Sequence, residues 1–450
     1  MLTGKMFMQA RDRSGFARSV YIVDGMRTPW LKVRGGPGSF SASDLAVQAG
    51  RYLLARQAFT PDQLDEVVTG CVMPSPDEAN ISRVISLRLG CGKAVPAYTV
   101  QRNCASGMQA LDSAALDIAC GRYNLVLAGG TEAMSQAPLL LSKKMSVWFT
   151  EWNLAKNFFA RLKLLAQFKL KYLKPIIALL HGLTDPIVGL GMGQTAEIIA
   201  HRFGITREEM DELSLQSHQR LAMAQDAGIF KEEINPIYDK QNIYYSFDNG
   251  LRRDTNLAKL TTLNPFFDKP FGLVTAGNSS QITDGAAFLI LASEEAVQKY
   301  QLPILARIVD VAWAGVDPSE MGLGPVHAVT ALLKKQALIF ENIDFWEINE
   351  AFAGQVLACL AAWQDVDYCK NQLGLTQALG KIDQAKLNID GGAIAMGHPV
   401  GASGARIVLH LAHILKRKQA RYGIATLCIG GGQGGALLLE NMARTKTGVV

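Results

Sequence analysis

One cysteine in this chain of 450 residues stands where a thiol has chemical use. Cys104, in "VQRNCASGMQAL", lies between an apolar stretch, "AVPAYTV", and a helix-like stretch, "SGMQALDSAALDIACG". At a strand-to-helix turn, first-turn N–H groups and the positive end of the helix dipole stabilise a thiolate. The same groups offer donors to an oxyanion formed beside it. Taken alone, Cys104 reads first as a small buried hydrophobe. A nucleophilic cysteine also needs a base. Of the histidines, His201, His218, His327, His410 and His413 fall in helical or helix-edge patterns and read as structural. His181 ends a basic stretch, so only His398 lies in a glycine-rich loop, "AMGHPVG". Glycines there let the backbone approach a ligand, and Pro399 stiffens the turn.

A second thiol, Cys428, ends a strand and enters "IGGGQGG". Gly430, Gly432 and Gly435 formally match the G-x-G-x-x-G dinucleotide pattern. That pattern should open a βαβ unit with an acid about 20 residues on, and no such unit follows Gly435. The loop is therefore read as a source of backbone N–H groups. Asn349 and Glu350, in "FWEINEAFAGQVLACLA", mark another strand-to-helix junction, where the plain reading of Asn349 is a helix cap.

The elements that must carry these residues alternate. A strand is expected in "SVYIVDGMRTP", a helix at about Ser43 to Gln57, and a strand at Glu66 to Val72. Strands "VPAYTV" and "YNLVLAGG" then bracket a helix starting near Ser106. Such alternation argues for an α/β fold with parallel sheets covered on both faces. The end of the chain repeats the plan: "KLNID", a glycine-rich turn, the helix "ARIVLHLAHILKRK", the strand "YGIATLCI" and a glycine loop. Two copies of one α/β unit are expected. Residues 143–181 differ, with eight Lys/Arg and one acid, Glu151. Trp148, Trp152, Ala155, Phe159, Leu162, Ala166, Leu170 and Leu173 share one face at helical spacing, flanked by Lys156, Lys163, Lys171 and Lys174. The alternatives are a helix packed on its own core and one that docks on a membrane or partner.

Composition excludes several classes. The chain is 49% hydrophobic and 19% charged, as globular proteins are, and its net charge of +5 is too mild to imply nucleic acid. Its seven cysteines are odd in number and lack C-x-x-C spacing, against a disulfide framework or a zinc site. The longest uncharged run, Tyr422 to Leu439, holds six glycines and makes a poor membrane span. The N-terminal stretch has no signal-peptide core and reads as a disordered lead-in over residues 1–18.

Four elements in order, "NCASGMQAL", "NEAFAGQ", "GGAIAMGHPVGASGAR" and "CIGGGQGG", resemble the thiolases, the acyl-CoA acyltransferases. "VLAGGTEAMS" and "VTAGNSSQITDGAA" resemble thiolase signatures too, and the likeness runs from about Ser19. The resemblance implies duplicated α/β halves, layered α-β-α-β-α, with a helical loop-domain insertion. The halves would be residues 19–138 plus 284–300 and residues 301–450, with the loop domain at 139–283. It implies that Cys104 takes the acyl group as a thioester, His398 activates it, and Cys428 moves a proton at carbon. It further implies that Asn349 and His398 hold one oxyanion site, while the N–H groups of Cys104 and Gly430 form the other. Ser280, Met192 and Phe352 match positions near the pantetheine and acyl thioester.

The activity implied is CoA-dependent cleavage of 3-oxoacyl-CoA in fatty-acid β-oxidation, with coenzyme A and acyl-CoA as substrates and no tightly bound cofactor or metal. The alternatives are a biosynthetic acetoacetyl-CoA thiolase and a non-catalytic lipid-binding scaffold. Partners implied are further copies in a homodimer or tetramer, a hydratase/dehydrogenase subunit of an oxidation complex, and a peripheral anionic membrane. Nucleic acid is not among them. The expected location is cytoplasmic, or mitochondrial in a eukaryote. Two residues depart from family patterns. Gly191 stands where short-chain enzymes carry histidine, which favours longer chains, and "NEAF" stands where complex-forming relatives often carry HEAF.

Overall fold

A computed structural model describes residues 16–442. Most of the lead-in expected at 1–18 lies outside the described residues, as does the end of the C-terminal half. The helix expected from about Ser43 spans Ala42–Ala55, opened by a capping box of Ser41 and Asp44. The helix expected near Ser106 spans Ser106–Ala119.

Ten strands form one sheet. Its main path runs Phe345–Ile348, Tyr422–Ile429, Gln433–Glu440, Ala306–Gly315, Val20–Arg27, Thr283–Ser293, Leu125–Ala133, Glu66–Gly70, Ala97–Val100. Only the outer pairs are parallel: Phe345–Ile348 with Tyr422–Ile429, and Glu66–Gly70 with both Ala97–Val100 and Leu125–Ala133. The centre is antiparallel, which corrects the all-parallel expectation. The reason is connectivity: tight returns such as the one from Ile429 to Gln433 can join only antiparallel neighbours.

The duplication expected from sequence is present. In each half, two parallel pairings lead through an antiparallel neighbour to the strand that joins the halves. In the C-terminal half the outermost strand, expected in "KLNID", shrinks to one bridge between Leu387 and Trp346. Asn388 takes a positive φ of 45° and ends the pairing there.

Alternation along the strands builds the layers. Val126, Ala128, Leu289 and Leu291 from one half, and Ala425, Leu427, Leu437 and Leu439 from the other, face two central helices, Ser106–Ala119 and Val400–Lys418. The opposite faces bury Leu127, Phe288 and Ile290 under helix Ala42–Ala55, and Ile424, Ala436 and Leu438 under helix Gly324–Gln336. The central helices touch backbone to backbone. A Cβ on Gly107 would lie 2.9 Å from the Gly401 oxygen, and one on Gly404 would lie 2.6 Å from the Met108 nitrogen. That contact brings the N-termini of both helices, and so Cys104 and His398, to one place.

The basic segment is not one continuous stripe. It folds as helices Lys143–Leu154 and Phe158–Gln167 and a short turn at Leu170–Leu173. Asn157 caps the second helix by accepting from the Ala160 N–H. Trp148 donates from its indole to the Leu164 carbonyl at 3.0 Å, stacks on Trp152 and meets Phe168 edge-on. The break turns the expected face in two. The tryptophans pin the hairpin, while Phe159 and Leu170 stand 79% and 80% exposed, so the reading of a segment buried in its own core fails. Among the described residues no helix is long and apolar enough to cross a membrane.

Candidate active site

Asn103 opens the site. Its positive φ of 43° turns the chain out of strand Ala97–Val100, and its amide donates to the Gly430 carbonyl at 2.7 Å. This bond fixes the glycine loop against the cysteine turn, with the Gly430 N–H aimed at the Cys104 sulfur. Burial pushes the Cys104 thiol up; the N–H groups of Gly430 and of Cys104 itself pull it back, and the Glu132 charge raises it further. Gly431 and Gly432 hold φ of 90° and 78°, which glycine adopts without strain. A Cβ on Gly430 would approach the Met192 sulfur at 3.3 Å.

Cys104 lines a cavity of about 450 Å³ with Met73, Met134, Leu179, Leu183, Ile187, Met192 and Gly430. The lining is largely apolar, and one side comes from residues 178–187, where the basic insertion rejoins the fold.

His398 is buried on a tight turn, its N–H bonded to the Gln281 carbonyl. Its Nδ1 lies 2.6 Å from the Ser403 hydroxyl. That hydroxyl donates to the Pro399 carbonyl at 2.9 Å, so it accepts from the imidazole. The proton therefore sits on Nδ1 and Nε2 keeps its lone pair, which accepts from the Asn349 Nδ2 amide at 3.4 Å. Burial and the Arg406 charge lower the imidazole pKa to about 3. His398 is thus neutral at physiological pH.

Asn349 is not the helix cap that its position suggested: Phe352 occupies the cap of helix Ala353–Gln364. Asn349 is fully buried, and its Oδ1 has no hydrogen-bond partner. Cys428 is buried too, and its thiol is pushed well up, first by burial and then by Cys104 and Cys359. It packs with Phe352, Met192 and Phe267, and the rings of Phe267 and Phe352 meet edge-on at 5.9 Å. Ser280 reaches this group through its backbone, donating to the Ala351 carbonyl. Neither Ser280 nor Phe352 lines the Cys104 cavity.

Residues from distant parts of the chain thus converge: Cys104 with Gly430 and Met192, His398 with Asn349, and Cys428 with Phe352 and Met192. Sequence reading missed Ser403, Asn103 and Glu132, and it marked Glu350 without giving it a role. The Glu350 carboxylate accepts from Ser217, Asn388 and the Ile394 N–H, holding the loop that leads to His398. Ser403 lies five residues after His398 and one helical turn from Pro399, a spacing that could have flagged it. Among the described residues, no group of three or more His, Cys, Asp or Glu could hold a metal ion.

Comparison with known proteins agrees along the chain. The thiolase N-terminal domain matches residues 20–295 and the thiolase C-terminal domain matches residues 302–441. The mitochondrial 3-ketoacyl-CoA thiolase of Rattus norvegicus is 39% identical over 430 residues, covering 95% of this chain and 99% of the relative. The β-ketoadipyl-CoA thiolase of Pseudomonas aeruginosa is 39% identical over 431 residues, 95% of this chain and all of the relative. Among solved structures, human mitochondrial 3-ketoacyl-CoA thiolase in complex with CoA superposes with a TM-score of 0.81 at 38% identity, over 95% of this chain and 99% of that one. The acetyl-CoA acetyltransferase of Bacillus anthracis does so with the same TM-score at 37% identity, over 95% of this chain and 100% of its own. A thiol beneath two backbone donors, a buried neutral histidine paired with Asn349 and Ser403, and a second buried thiol occur here on a fold shared along nearly its whole length with these enzymes: the chain belongs to the thiolase family.

Proposed function

We propose that this protein is a degradative 3-ketoacyl-CoA thiolase, cleaving 3-oxoacyl-CoA with coenzyme A to acetyl-CoA and a shortened acyl-CoA. The observation that carries this reading is the Cys104 thiol under the N–H groups of Gly430 and Cys104, in the wall of a largely apolar cavity. The names of the relatives favour it over a biosynthetic acetoacetyl-CoA thiolase or a non-catalytic scaffold. His398 Nε2 accepts the Cys104 proton, and the thiolate attacks the 3-oxo carbon. The two N–H groups receive the developing negative charge. The C2–C3 bond breaks, leaving the acyl group on sulfur and an electron pair on C2 of the departing thioester. Cys428, held as a thiol by its burial, protonates that carbon. Coenzyme A then attacks the acyl-cysteine, its thiol proton passing to the Cys428 thiolate, and the Cys104 sulfur leaves and takes its proton back from His398. His398, once protonated, donates with the Asn349 amide toward the second thioester oxygen. Splitting the reaction at a covalent acyl-enzyme makes two easier steps from one.

Incubation with 3-oxoacyl-CoA but no free coenzyme A tests the scheme. One equivalent of acetyl-CoA should be released, and mass spectrometry should find the acyl group on Cys104. Release without an adduct, or an adduct on Cys428 with Cys104 free, overturns it.

The same reading extends to partners. The edge strand Ala97–Val100 supports pairing with a second copy, as a homodimer or tetramer. The exposed apolar residues of 143–181, flanked by eight exposed cations, support docking on an anionic membrane surface, with a hydratase/dehydrogenase subunit as the competing partner. A cytoplasmic location, or a mitochondrial one in a eukaryote, goes with this assignment.

A further inference from the structure

Helix Val400–Lys418, which follows His398, has no side-chain cap from its own residues; Pro399 stands at its start. The missing acceptor comes from the other half of the molecule. Glu132, at the end of strand Leu125–Ala133, accepts the Gly401 N–H at 3.0 Å. The same carboxylate accepts the Val72 N–H at 2.9 Å and the Met73 N–H at 3.0 Å, and Cys71 Sγ lies 3.7 Å away. Val72, Met73 and Val400 line the cavity that holds Cys104. Glu132 itself is fully buried. Every neighbour within reach is a donor, so all four lone-pair sites of the carboxylate are used only when it is ionised. The glycine at 401 belongs to the same arrangement: a Cβ there would lie 2.6 Å from the Glu132 carboxylate and 2.5 Å from the Thr131 carbonyl.

We propose that Glu132 is a positioning residue for the thiol chemistry: it ties the floor of the Cys104 cavity to the start of the His398 helix and fixes the electric field at the nucleophile. The proposal rests on the thiolase reading for its effect on turnover, but its effect on Cys104 is independent of substrate. An anion at a helix N-terminus is favourable, and this one joins loops from both halves. Its charge also opposes ionisation of Cys104. The titratable groups around it are Cys71 and Cys104, with Glu78 acting on Cys71. Burial pushes the Glu132 carboxyl up to about 7 against the pull of its hydrogen bonds.

Glu132→Gln keeps the shape but must turn an NH2 group toward two donors, so two of the four contacts are lost. Two effects of opposite sense are expected. Alkylation of Cys104 by iodoacetamide, followed on the Cys104 peptide by mass spectrometry, should move to lower pH because a nearby negative charge is gone. Turnover of 3-oxoacyl-CoA should fall by about 100-fold, the scale of a misplacement of about 1 Å. An unmoved alkylation profile, or unchanged turnover, in the folded variant overturns the proposal. Should the variant not fold, Glu132→Asp carries the test: the shorter side chain keeps the charge but cannot reach all three N–H groups, so turnover should still fall while the Cys104 alkylation profile stays near that of unmodified protein, and unchanged turnover overturns the proposal. Failure of the thiolase reading is distinguishable, because unmodified protein would then form no acyl adduct on Cys104.

Discussion

Ser403→Ala isolates the tautomer of the base. The Ser403 hydroxyl receives the His398 Nδ1 proton at 2.6 Å, and both residues are buried. Without the hydroxyl, the buried Nδ1–H loses its acceptor, which costs about 1–3 kcal/mol. The imidazole has an escape. The Asn349 Oδ1 has no partner, so rotation of that amide lets it accept a hydrogen bond from a protonated Nε2. The proton then moves to Nε2, and the lone pair that should take the Cys104 proton is lost. Restoring the working tautomer costs the same about 1–3 kcal/mol, which slows acylation about 5- to 150-fold. The assay is rapid-quench acylation of Cys104 by saturating 3-oxoacyl-CoA without free coenzyme A. The rate constant should fall while the substrate concentration at half-saturation stays near that of unmodified protein. Acylation within about twofold of unmodified protein, or a loss confined to half-saturation, refutes the argument.

Other expectations follow from the same contacts. Cys428→Ser should still take an acyl group from acyl-CoA onto Cys104, yet lose about 100- to 10,000-fold in thiolysis, the usual span for a lost general acid; near-normal thiolysis would contradict its role. His410 is buried between Glu233 and Asp390, and although burial alone would lower its pKa, the two carboxylates raise it from 6.5 to about 10. The stability it contributes is complete below pH 6.5 and is lost as pH rises toward 10, so the unfolding temperature should fall over that range, and His410→Gln should flatten the fall; parallel curves would contradict this. Replacing Lys156, Lys163, Lys171 and Lys174 by Glu should abolish sedimentation with anionic liposomes and leave activity on soluble substrate intact, since each cation is worth about 1 kcal/mol at such a surface; liposome binding that survives assigns the face to something else.

What the sequence determined by itself was local. A polar turn between an apolar run and a helical run marked Cys104, a glycine-rich turn marked His398, and a strand entering glycines marked Cys428. These signals depend on the backbone demands of a few neighbouring residues, which is why they were legible and why both copies of the α/β unit were recognised. The break at Asn157 was local too, but the apolar periodicity running across it hid the cap. Tertiary structure decided everything that joins distant segments. Asn103 and Gly430 lie 327 positions apart, and only their pairing aims the glycine N–H at the Cys104 sulfur. Glu132 and Gly401 are 269 apart, and a cap supplied from another half has no signature near the helix it caps. The sheet centre is antiparallel because of which strands meet, and alternating burial alone is compatible with either direction. The neutral, Nδ1-protonated state of His398 likewise follows from burial and from a hydroxyl whose own proton is committed elsewhere. Local sequence sets turns, caps and faces; the free energy of burial and long-range hydrogen bonding sets which of them meet, and the chemistry of this site lies in the meeting.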